Sequence, residues 1–299
     1  MEKNRAAAYD RGMTASTNLD REEYIEQAYF FRILRERMAT QLATQEILSR
    51  LHEEILSTTR LPYAIQFLAT ELKHSGLLSS GFGLLLHYFT PFQAFVIRQT
   101  EEGSQRLSTE TALLILEREA IYRAGQPTAP GLFVYQFEAL SRNRLGYDDG
   151  LNCMAADPFY DAAWREYLDL VRRQVGLVDF ADLLYVRSEL YVAEQKRSDP
   201  QYEPPLAPLF GEKEGKIARA NRGRDPLFLF AALQRQLGYP EVPRPRPRDD
   251  LAAKMEVLQV KYRELESRLK LLESEVRGQV DLSQFGKPEL LEDLPDEDA

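Results

Sequence analysis

The sequence predicts an all-α protein: a multi-helix globular body, a C-terminal leucine-zipper coiled-coil helix, and disordered termini. Three observations carry that expectation. Apolar residues recur three and four positions apart between helix-capping signals. No run alternates apolar and polar over five or more residues, as a half-buried strand would. Near the C-terminus leucine returns every seven residues, the period of a left-handed supercoil.

Residues 1–19 are polar, show no sustained period and read as a flexible segment. The helical body is expected over 20–239. Asp20 with Glu23 forms a capping-box pattern, and the helix it opens carries Tyr24, Ala28, Phe31, Leu34 and Met38. A second helix from about Thr44 places Ile47, Leu48, Leu51 and Ile55 on one face. A third starts at Leu61-Pro62, where proline is tolerated, and stops at Gly76. Ser108 opens another, closed by Gly125 and Pro127. Phe133, Phe137 and Leu140 mark the next, ending near Gly146. Asp157-Pro158 is expected to start a long helix through Trp164 to Gly176, and Val178 to about Lys196 to form one more. Asp225-Pro226 opens the last, which Gly238 ends. No fixed repeat emerges, since Asp157-Pro158 and Asp225-Pro226 have no third counterpart.

Leu77 to Ile97 is apolar enough to span a bilayer by length, yet it contains Gly81, Gly83, His87 and Gln93, and Thr90-Pro91 reads as a fresh N-cap. Two helix pieces around a buried loop fit it better than a membrane span. Residues 199–211, with four prolines, predict an internal linker. Residues 240–248 form a Pro/Arg-rich, stiff spacer.

The coiled coil is expected over 249–278. Leu251, Leu258, Leu265 and Leu272 occupy d positions, and Met255, Tyr262, Leu269 and Val276 occupy a positions. Lys261 at g would face Glu266 of a second copy, and Arg268 would face Glu273, which favours a parallel pair. The expected partner is therefore another copy, as a homodimer, with a further protein partner left open. Tyr262 is bulkier than the β-branched residues dimers prefer, and no polar a residue specifies oligomer number. Prolines just before Leu251 cannot continue a helix, which argues against a DNA-reading basic zipper.

Of the nine net negative charges, six fall in 279–299, where seven acids face only Lys287; such tails are usually solvated. The single cysteine, Cys153, has no internal disulfide partner, and Met1–Arg5 lacks the apolar core of a signal peptide. Both predict a cytoplasmic protein.

Signals for chemistry are sparse, and no catalytic residue, cofactor or metal site is assigned. Glu71 and His74 share a helix face, the E-x-x-H unit of di-iron bundles, but neither His52 nor His87 has a glutamate three residues before it. A histidine complementing a helix C-terminus is the plainer reading. The run from Gly211 to Ile217 is one residue short of a phosphate loop and has Ile217 where a hydroxyl is needed. Lys213, Lys216, Arg219, Arg222 and Arg224 form a basic patch in a stretch, 213–248, with net charge +6. It lacks interleaved aromatics, so nucleic acid is not the expected partner. Gly146 to Gly150, with two aspartates, reads as a turn, and Cys153 and Trp164 read as core. The leading expectation is a non-enzymatic interaction or scaffold protein. A helical metal-binding protein or enzyme with a site near Glu71 and His74, and a nucleic-acid-associated protein using 213–248, are the alternatives.

Overall fold

Capping chemistry sets most helix boundaries in the computed structural model, which describes residues 18–40, 42–102, 107–245, 258–266 and 268–270. Among these residues every regular element is helical, and only two isolated bridges, Val175 to Val178 and Ser188 to Phe210, are of β type. The chain falls into two units, 1–246 and 247–299.

The first unit holds thirteen helices: α1 Arg21–Ala39, α2 Thr44–Leu51, α3 Leu61–Ser75, α4 Leu78–Leu84, α5 Pro91–Glu101, α6 Thr109–Ala124, α7 Ala129–Arg142, α8 Tyr147–Ala155, α9 Ala162–Gln174, α10 Phe180–Val186, α11 Glu189–Ser198, α12 Glu212–Ala220 and α13 Pro226–Leu237. Ser108, Thr128, Asp161, Asp179, Ser188 and Asp225 each accept a first-turn N–H, satisfying donors that a helix N-terminus leaves orphaned. Thr90 and Gln93 complete a reciprocal capping box. Gly76 and Gly238 close α3 and α13 in the left-handed conformation, at φ 74° and 68°.

At the centre lies α7, buried on every side from Gly131 to Leu140, as expected of a helix that is apolar all round. Its Phe133 and Phe137 gather an aromatic core with Trp164, Tyr167, Phe180, Phe210 and Phe230; Phe137 stacks on Phe180 with ring centroids 4.0 Å apart. The helix α1 packs along α6. Arg21 meets the Ala124 carbonyl at 3.0 Å and Arg35 meets Glu117 at 2.9 Å, so the two run antiparallel.

The apolar stretch 77–97 divides as expected into α4, a turn with exposed His87, and α5. No helix among the described residues is long and apolar enough to cross a membrane. Four local expectations are corrected. Asp20 is the N-cap of α1, but no side-chain capping bond forms there. Glu23 is instead buried, accepting from Tyr88 Oη at 2.7 Å and the Arg60 N–H at 2.9 Å. The long helix expected from Asp157 starts only at Ala162, because Asp161 is its cap and Asp157 turns the chain at 157–160. Gly146 to Gly150 is not a bare turn but the start of α8, with Asp148 and Asp149 in its first turn.

The fourth correction concerns 178–196, which is two helices. At Arg187 the helix breaks, and the Arg187 carbonyl accepts N–H bonds from Leu209 at 2.8 Å and Phe210 at 3.1 Å. Those tertiary bonds, with Ser188 capping α11, outcompete continuation of the ladder. Gly215 of α12 sits directly behind; a Cβ there would lie 2.4 Å from Ser188 Oγ, so only glycine allows this approach.

Candidate functional site

The described part of the second unit is helical over 258–266 and 268–270. Leu258, Tyr262, Leu265 and Leu269, spaced four, three and four apart, are exposed at 60%, 64%, 62% and 59%. That spacing puts them on one stripe. Glu264 and Arg268 form an intrahelical ion pair at 2.7 Å. The other seam positions, Leu251, Met255, Leu272 and Val276, lie outside the described residues, as do 1–17 and the acidic tail 279–299.

Glu71 and His74 both fall on α3, as their spacing requires. Glu71 Oε1 accepts from Ser80 Oγ at 2.7 Å, while His74 is exposed in the last turn before Gly76. Among the described residues no group of three or more His, Cys, Asp or Glu side chains is gathered for a metal ion. Cys153 is half-buried, and burial pushes its thiol up.

The basic patch sits on α12 and the turn after it. Lys216 pairs with Glu212 at 2.6 Å, Arg219 with Glu194, and Arg222 with Asp182 at 2.5 Å, its guanidinium 4.0 Å above the Tyr185 ring. Lys213 and Arg224 are exposed. Three of the five cations thus face carboxylates, two of which come from α10 and α11.

Sequence reasoning missed a buried ionic cluster. Arg123 and Glu119 of α6 pair at 2.9 Å, and Arg123 also pairs with Asp157; all three side chains are at most 1% exposed. Gln136 of α7 donates to Glu119 Oε1 at 2.8 Å, and Tyr160 donates to Gln136 at 2.8 Å. Tyr24 and Phe159 flank the guanidinium. One cation therefore faces two carboxylates away from water, and Glu119 Oε2 has no hydrogen-bond partner among the described residues. Burial, reinforced by Asp157 and opposed by Arg123, raises the Glu119 pKa, whereas the two carboxylates hold Arg123 firmly protonated. The cluster ties α1, α6, α7 and the 157–160 turn together and opens onto no cavity. A signal existed: 119 and 123 continue the spacing of Ala112 and Leu116, so two charges stood on the apolar stripe.

A second buried polar set joins Glu138 to Arg142 and to the Tyr239 hydroxyl at 2.7 Å. The chain is thus an all-α protein whose buried polar groups serve packing and whose exposed stripe is on 258–270. No family model matches it, and no curated protein or solved structure matches it at a significant level.

Proposed function

We propose that this chain is a non-enzymatic interaction or scaffold protein that self-associates as a parallel dimer through a coiled coil over 249–278. The observation that carries the reading is the stripe Leu258, Tyr262, Leu265 and Leu269, left more than half exposed on a helix. Burying such side chains against a second copy stabilises by roughly 1.5–3 kcal/mol each, and in a single copy that gain is forfeited. The metal-site and nucleic-acid alternatives have less support, since Glu71 is already engaged by Ser80 and Lys216, Arg219 and Arg222 by carboxylates.

Light scattering tests the reading. The full chain should have twice its 34.4 kDa mass, and a Leu258→Lys, Leu265→Lys double variant should fall to a single copy with the same helical circular-dichroism melt. A wild-type mass of one copy at high micromolar concentration rejects it.

A further inference from the structure

Beneath the proline-rich segment 199–211 lies a cavity of about 330 Å³, walled by α9, α10, α11 and residues 202–206. Its lining is mostly apolar, with Leu170, Leu183, Val186 and Val192 facing Pro204 and Leu206. The volume is at the small end of the roughly 300–1,000 Å³ usual for small-molecule sites. The wall is tied in place, because Leu209 and Phe210 donate their N–H groups to the Arg187 carbonyl and Glu189 donates to that of Phe210. The site is therefore preformed rather than assembled by a mobile loop.

Arg187 itself lines this cavity and is only 6% exposed. Its guanidinium rests on the Tyr167 ring at 5.6 Å, and its Nε is buried with no hydrogen-bond partner. No carboxylate among the described residues lies within ion-pair distance of it. Arg123, equally buried, has two carboxylates on it. A desolvated, unpaired cation is costly, and native structures retain one where something else supplies the anion. The only acid on the cavity wall, Asp182, is taken up by Arg222 at 2.5 Å.

We infer that this cavity binds a small monocarboxylate with an apolar body, the carboxylate received by Arg187 and the body by the aliphatic wall. The guanidinium fork matches a carboxylate in geometry. A single cation balances a single negative charge, and the nearby Asp182 disfavours a dianion such as a phosphate monoester. The inference stands apart from self-association, since none of these residues belongs to the 249–278 helix.

Calorimetric titration of the full chain with octanoate, octan-1-ol, octyl phosphate and acetate tests it. Octanoate should bind with one-to-one stoichiometry and roughly tenfold or more tighter than the other three, the scale of a charge-assisted contact in a dry site. Arg187→Gln should lower octanoate affinity by a similar factor while leaving octan-1-ol unchanged. Val192→Trp, which fills the cavity and leaves Arg187 in place, should abolish both and covers the case in which Arg187→Gln does not fold. Equal affinity for octanoate and octan-1-ol, tighter binding of octyl phosphate, or unchanged octanoate binding in Val192→Trp overturns the inference. Displacement of octanoate by a synthetic peptide of residues 286–299 would assign the cavity to the chain's own acidic segment and overturn it equally.

Discussion

Leucine and tyrosine behave in opposite ways in the two parts of this molecule. In the body, Leu68, Leu116, Leu140 and Tyr160 are wholly buried, and even the charges Glu119 and Arg123 are withdrawn from water. On 258–270 the same residue types, Leu258, Tyr262, Leu265 and Leu269, stand more than half exposed. The body completes its own core. The C-terminal helix carries an equally regular apolar pattern with nothing in the described chain to cover it, so periodicity alone does not reveal which surface a stripe is meant for.

Substitutions can break that contrast, the strongest first. Arg123→Met should destabilise the body by about 3–5 kcal/mol, because it strands Glu119 and Asp157 as uncompensated buried carboxylates; denaturant melts measure this, and a loss below about 1 kcal/mol would mean the cluster is solvated. Leu265→Lys should weaken association by roughly 1.5–3 kcal/mol per helix while leaving the body's melt unchanged. A parallel fall in body stability would show that the helix docks on the body instead.

A third test uses acidity. The folded-state pKa of Glu119 is raised above its ordinary 4.5, so its neutral form is the one the fold favours. The stability it contributes is full below pH 4.5 and is lost as pH rises through the folded value. Glu119→Gln, permanently neutral, should remove that loss, and melting temperature against pH should fall less steeply above 4.5 than in the wild type. Identical slopes would place the raised group elsewhere. The smallest effect is expected from Glu264→Ala, which deletes an exposed pair with Arg268 and should cost only about 0.2–0.5 kcal/mol of helix stability. A large drop in association would mean the flank, not the seam, holds the helices together.

Most of the fold was legible because caps are local. Ser108, Thr90-Pro91, Asp225-Pro226 and the stops at Gly76 and Gly238 act within one turn, and each fell where the sequence predicted it. What escaped was non-local. Glu23 looks like the second half of a capping box until Tyr88 and Arg60 claim it from far along the chain. The helix from 178 looks continuous until the amides of Leu209 and Phe210 bond to Arg187. The cavity over Arg187 was illegible for the same reason, since its walls come from four separate segments. The basic patch was legible as spacing, but its pairing with Glu194 and Asp182 was not.

The way the chain leaves the body has a mechanical consequence. Tyr239 bonds to Glu138, Val242 is 2% exposed, and the Pro243 carbonyl accepts from Asn143 at 3.2 Å. Glu138 belongs to α7 and Asn143 caps its end. Tension on the chain beyond Pro243 would therefore be carried into the central helix itself rather than into a peripheral loop. A tether rooted there would yield only when the middle of the core does.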